Sequence, residues 1–155
     1  MTSSDARTQP TRRLTTVLQE DPHGCGVACL AMIAGVDYWS ARDTFTRLGY
    51  GEQRKNKQPF SSNFTELMAA LQQHGILTKM ARWVSWEALN GLGILKVANG
   101  HHNSWHWVVA RPVQNSGVVI HDPLRSGVSH IHAPAGSGSA LLDDRVPYGN
   151  WIRIL

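Results

Sequence analysis

The sequence predicts an α+β domain in which helices from the first half pack on an antiparallel sheet formed by the second. Two observations carry this. Between Cys25 and Gly75, apolar residues recur at helical spacing, behind cap residues and ahead of glycines. From Gly93 onward the chain switches to short β-branched runs split by Gly, Pro, Asn and Ser. Helices first and strands after is the order of an α+β fold. A third observation bounds the size: 155 residues, 42% hydrophobic and 17% charged, describe an ordinary globular chain with room for one domain.

The elements follow in order. Residues 1–13 are polar and read as a flexible N-terminal arm, leaving 14–155 as a single domain. LTTVLQ (14–19) reads as a short extended lead-in, and Pro22 and Gly24 then break regularity. Val27, Ala28, Leu30, Ala31, Met32 and Ile33 make a buried helix starting at Cys25, with Gly35 as its stop. SARDTFTRLGY gives a second helix, with Ser40 as the cap and Gly49 at its end. NFTELMAALQQHG gives a third: Asn63 caps, Glu66 completes a capping box, Leu67 and Leu71 lie one turn apart, and Gly75 ends it. ILTKMARW reads as a strand and SWEALNGLG as a short helix capped by Ser85. GILKVAN, HWVVARP, GVVIHDP, VSHIH and WIRIL read as strands, and PAGSGSALLDD as a flexible loop.

Charge and composition exclude several classes. The formal net charge is +4, but the basic residues are scattered and form no long stripe, so no nucleic-acid partner is expected. No apolar run approaches the roughly 20 residues of a membrane span, so no membrane partner is expected. The N-terminus lacks an apolar signal core. The chain is therefore expected to be cytoplasmic as synthesised, with export by a signal-independent route left open. There are two cysteines, Cys25 and Cys29, four apart on one helix. That spacing does not suit a disulfide, and two thiols alone make no zinc site, so both are expected reduced.

The position of Cys25 carries chemistry. A helix N-terminus has unpaired N–H groups and about half a positive charge, which favours thiolate over thiol. Free cysteine titrates near 8.5, and lowering it makes the sulfur a nucleophile at neutral pH. Gly26, without a side chain, would leave room for a substrate backbone beside that sulfur. Cys29, one turn deeper among apolar residues, reads as a core thiol. A nucleophilic cysteine needs a base, and the base an orienting group. His106 opens one strand and Asp122 ends the next, so a hairpin would set them side by side. The carboxylate would hold the imidazole in one tautomer. The backbone N–H of Cys25 and the side-chain amide of Gln19, six residues upstream, are candidate oxyanion donors.

At these residues the sequence resembles the C39-type, double-glycine cysteine peptidases of the papain-like superfamily. The resemblance rests on Gln19, Cys25-Gly26, Ala28-Cys29-Leu30-Ala31-Met32-Ile33, His106-Trp107-Val108-Val109 and Asp122-Pro123, in that order. It spans about residues 14–155. Gly24 stands where that family usually carries an acidic residue, with Asp21 three positions earlier. The resemblance implies a papain-like fold, no cofactor, and catalytic roles for Cys25, His106, Asp122 and Gln19. It also implies cleavage after a Gly-Gly pair in a protein or peptide substrate, in a narrow cleft whose walls Trp105 and Trp107 would form. Members of that family trim leader peptides when fused to an export ATPase and a membrane domain. A free-standing version has two roles open to it: processing for a separate exporter, or service as an antibacterial effector toxin whose producer carries an immunity protein.

Three other readings stay open. His102 and His106 in HHNSWH are four apart, as in helical zinc sites, but Gly100, Asn103 and Ser104 oppose a helix there, and no metal is expected. His101, His102, His121, His130 and His132 read as surface or edge histidines. A Cys-His-Asp set also serves transglutaminases and deamidases. A domain of this type can also be a non-catalytic module that only holds substrate.

Overall fold

A computed structural model describes residues 14–99, 104–113, 117–131 and 145–155. Helices α1 (Cys25–Ala34), α2 (Tyr38–Arg47) and α3 (Phe64–Gln73) precede strands β1 (Thr78–Arg82), β2 (Gly93–Asn99), β3 (Trp105–Val113), β4 (Gly117–His121), β5 (Ser129–Ile131) and β6 (Arg145–Ile154). The strands form one sheet in the order β1-β6-β2-β3-β4-β5, and each neighbouring pair is antiparallel. The N-terminal arm, His101, His102, His132 and the loop 134–144 lie outside the described residues.

Each helix has a visible cause. α1 is apolar all round and is buried from Gly26 to Ile33, so packing rather than amphipathicity holds it. It stops at Gly35, whose φ of 73° is left-handed. α2 starts three residues earlier than the sequence suggests. Asp37, not Ser40, is its cap, accepting from the Ser40 N–H at 2.8 Å. The carboxylate reaches the third N–H of the turn, and Ser40 supplies only that N–H. α3 has the full Asn63–Glu66 capping box. The expected helix after Ser85 is a single turn: Ser85 Oγ accepts from Ala88 N at 3.1 Å, but no second turn follows. Residues 14–19 belong to no strand, and the last strand starts at Arg145 rather than Trp151.

The pleat divides the sheet into two faces. Ile94, Trp107, Val109 and Ile152 face the helices and form the main core with α1, α2 and α3. Leu95, Val97, Val108, Ala110, Val118, Ile120 and Trp151 face the other way, under Leu89 and the half-buried Trp83 and Trp86. α1 lies against β3. Its first residue therefore meets the start of that strand.

Candidate active site

Cys25 is the first residue of α1 and half-buried. Its Sγ accepts a hydrogen bond from the backbone N–H of Trp107, at 3.5 Å. Trp107 is 1% exposed. Its indole N–H donates to the Ser62 carbonyl at 3.3 Å, and its ring meets Phe64 edge-on. This anchored indole fixes the strand against which the sulfur rests. It is core as much as wall.

Gly26 plays a different part from the one expected. A Cβ there would sit well inside van der Waals contact of Ser62 Oγ and at 3.4 Å from Trp107 Cδ1. The space beside Gly26 is taken by Ser62, so the glycine lets the 61–62 segment close on α1 rather than admitting substrate. Gly24 follows the same logic. A Cβ there would collide with the Tyr38 hydroxyl. That hydroxyl donates to Asp21 Oδ2 at 2.5 Å, and Arg42 Nε donates to the same oxygen at 3.0 Å. Asp21 thus anchors the turn before Cys25 to α2.

His106 is buried on β3, and its Nε2 lies 3.1 Å from both carboxylate oxygens of Asp122. Val109 pairs with His121 across β3 and β4. The next residue, Asp122, therefore falls on the face that His106 shares. An ionised carboxylate only accepts, so Nε2 carries the proton and Nδ1 has the lone pair. Nδ1 is buried without a partner among the described residues. Asp122 also accepts from Leu124 N at 2.9 Å and from Arg145 Nη1 at 3.2 Å. Burial alone would raise this carboxyl. The hydrogen bond from His106, the Leu124 N–H and the charge of Arg145 outweigh it and hold Asp122 below its ordinary value.

The sulfur departs from expectation. Burial pushes the Cys25 thiol up, and the N–H groups of Trp107, Gly26 and Cys25 itself lower it by less. The partial charge of a helix terminus does not offset desolvation here. Cys25 rests as a thiol and needs a base. Cys29 is fully buried and pushed up further, chiefly by burial, consistent with a core role.

Gln19 lines the same cavity of about 370 Å³ as Cys25, Ser62, Trp105, His106 and Trp107. Its backbone N–H donates to the Pro123 carbonyl at 3.0 Å, joining the lead-in segment to the chain just after Asp122. The side-chain Nε2 donates to the carbonyls of Asp21 and Pro22, and Oε1 is buried without a partner. Three cavity residues, Gln19, Ser62 and His106, thus each hold a buried polar atom with no partner among the described residues. Such atoms are uncommon in folded proteins, and the three residues line one cavity with Cys25. Trp105 is 39% exposed and stands at the cavity edge, its ring 5.1 Å from that of Trp107. A larger groove, about 530 Å³ between α3 and β1, is lined by Met68, Ile76, Leu77 and Met80 among others and holds no titratable side chain.

His121 is not a surface histidine: it is 2% exposed. Its Nδ1 lies 2.7 Å from Thr16 Oγ1, which donates onward to the Gly127 carbonyl at 3.0 Å. Nδ1 is therefore the protonated nitrogen. Sequence reasoning missed Ser62 and Arg145. Neither carries a local signal, since each is a lone polar residue that only the tertiary pairing brings to the site.

The family model of the Peptidase C39 family matches residues 13–134. The probable microcin-H47 secretion/processing ATP-binding protein MchF of Escherichia coli is 32% identical over 120 residues, which is 74% of this chain. The chain spans 15% of the length of that relative. Among solved structures, the peptidase domain of Streptococcus ComA, a bifunctional ABC transporter of a quorum-sensing pathway, superposes with a TM-score of 0.64 at 21% identity, over 92% of this chain and 98% of that one. A double glycine motif protease from an AMS/PCAT transporter, solved with its leader peptide, gives 0.59 at 20% identity, over 92% and 91%. The fold is that of these domains: helices packed on an antiparallel sheet. The chain belongs to the Peptidase C39 family.

Proposed function

We propose that the chain cleaves the peptide bond after a Gly-Gly pair, with Cys25 as nucleophile, His106 as base and then acid, Asp122 as orienting group and Gln19 as oxyanion donor. The observation that carries this is the His106–Asp122 pair, which leaves Nδ1 as a bare lone pair in the cavity that holds the Cys25 thiol. Catalytic hydrogen bonds commonly tighten only when substrate is bound. The thiol proton passes to Nδ1 as sulfur attacks the carbonyl carbon of the second glycine. The resulting oxyanion takes the N–H of Cys25, and the Gln19 amide once it turns from the carbonyls of Asp21 and Pro22. His106 then protonates the leaving amine, and a thioester remains on Cys25. Water attacks with His106 again as base, the C–S bond breaks, and the thiol is restored.

The cavity supports a narrow specificity. Ser62, Trp105 and Trp107 crowd its walls around the sulfur, which suits residues without side chains before the scissile bond. Leader peptides are the favoured substrate class. One structural neighbour was solved with a leader peptide, and the curated relative is named for secretion and processing.

The test uses synthetic leader-type peptides with Gly-Gly, Gly-Ala or Ala-Gly before the junction, incubated with wild type and Cys25→Ala. The expected result is one new terminus after Gly-Gly, formed only by wild type. Equal cleavage of all three peptides would remove the specificity. Cleavage by Cys25→Ala would remove the nucleophile. A second arm separates the roles. An effector held in check by an immunity protein would create new termini inside mature proteins of a bacterial lysate, whereas a leader-processing enzyme would leave those proteins intact. Conversion of glutamine to glutamate without chain cleavage would mark a deamidase instead.

A further inference from the structure

We propose that Arg145 is a positioning residue of this centre: its guanidinium balances the charge of Asp122, so that His106 and Cys25 exchange a proton between themselves without drawing one from solvent. The inference rests on the roles given above to Cys25, His106 and Asp122.

Arg145 opens β6 and reaches the site because β6 pairs with β2, Arg145 opposite Asn99. Its side chain is 2% exposed. Nη1 donates to Asp122 Oδ2 at 3.2 Å and Nη2 to Ser129 Oγ at 2.7 Å, so both arms of the fork are held. Burying a guanidinium is unfavourable by several kcal/mol before pairing, and an apolar side chain would fill the space as well. Asp122 does not need Arg145 for its orientation. His106 and Leu124 already donate to both of its oxygens. What Arg145 adds is charge.

Among the described residues, the titratable and charged groups around the imidazole are Cys25 and Cys29 from α1, His23 from the segment before it, Asp122 after β4 and Arg145 from β6. With Arg145 present, its positive charge offsets that of Asp122. The proton can then move from sulfur to Nδ1 with no further proton drawn from solvent. Without Arg145, a buried carboxylate faces a neutral imidazole and draws a proton onto it from solvent. A doubly protonated imidazole cannot accept the thiol proton. The upward push of burial on Cys25 fits the same picture, because a resting thiol depends wholly on that acceptor.

The test needs no substrate. Iodoacetamide alkylates Cys25, peptide mass spectrometry locates the adduct, and fully buried Cys29 serves as the internal control. The rate is followed against pH in wild type, Arg145→Gln, Arg145→Met and Arg145→Lys, with circular dichroism to confirm folding. The charge-free variants should move the acid limb of the profile up by about 1 to 2 pH units, the effect of one charge roughly 6 Å away at an effective dielectric constant of about 20 to 40. Arg145→Lys, which keeps the charge and loses the fork, should leave the limb within a few tenths of a unit while lowering the rate. Either charge-free variant that folds is sufficient. A limb that stays in place while rate and melting temperature fall would overturn the proposal, and so would a downward shift. Alkylation of Cys25 no faster than that of a free thiol in wild type would instead discard the nucleophile assignment, a different outcome from failure of the Arg145 role.

Discussion

The two walls of the cleft are built differently. One is local: Gln19, Asp21, Gly24, Cys25 and Gly26 are neighbours in sequence, tied by short-range bonds and one anchor to α2. The other is assembled from three strands. His106, Asp122 and Arg145 come from β3, the end of β4 and β6, at separations of 16 and 23 residues, and they form a buried chain of charge. Reactivity on the first wall depends on packing around a single sulfur. On the second it depends on charges that also hold the strands together. Truncating Cys25 or Gln19 on the first wall should therefore change activity with little change in stability, whereas truncations on the second should change both.

The largest contrast is between Cys25→Ala and Asp122→Ala. The first removes the nucleophile and should cut turnover by a factor of about 10⁶, as for the loss of a single nucleophile elsewhere, with the melting curve unchanged. The second should lower turnover by about 10² to 10⁴ and also destabilise the fold by about 3 kcal/mol, because Arg145 is left as a buried charge without that carboxylate. Chemical denaturation alongside peptide cleavage measures both. If Asp122→Ala melts like wild type, the walls do not differ in the way described.

Gly26→Ala sharpens the local wall. Its methyl meets Ser62 Oγ. A stability loss of about 1 to 3 kcal/mol is expected, and Ser62→Ala in the same chain should restore most of it. Additive losses in that double-mutant cycle would show that the two residues do not touch. Gln19→Ala should lower kcat by about 10²-fold, the usual effect of one oxyanion donor, with KM nearly constant. A rise in KM alone would make Gln19 a loop anchor through its bonds to Asp21 and Pro22.

The difference between the walls also sets what the residue order could reveal. The local wall was readable: a turn-forming run ending at Cys25, an apolar helix behind it and Gln19 six positions earlier are all contiguous. His106 and Asp122 were readable because they occupy matching ends of two adjacent strands. Arg145 was not, since nothing local in the sequence distinguishes it from a surface arginine. Cys25 shows the limit of a local rule. Its helix-terminal position argues for a depressed pKa, yet the sulfur is buried enough that desolvation prevails. Gly26 reads as an opening for substrate until Ser62, distant in sequence, fills the gap. Asp37 rather than Ser40 caps α2, because the carboxylate can reach an N–H three residues on.

A separate, pH-dependent effect comes from His121, on the helix side of β4. Burial first, and then the charge of Arg111, lower it to about 4. The folded state thus binds its proton later than the unfolded chain does as pH falls. Its contribution to stability is present above about pH 6.5 and is lost as pH falls toward 4. Thermal melts across that window should fall with pH in wild type and less steeply in His121→Gln. Equal slopes would show that this ring is not held neutral.

The account's central claim is that His106 activates Cys25. The direct measurement is the rate at which a Gly-Gly peptide chloromethyl ketone modifies the protein, read by intact mass and peptide mapping, in wild type and His106→Ala. The expected result is a single adduct on Cys25 in wild type, formed at least about 10²-fold more slowly when the imidazole is removed. An adduct that forms equally fast without His106, or that maps to Cys29, would contradict it.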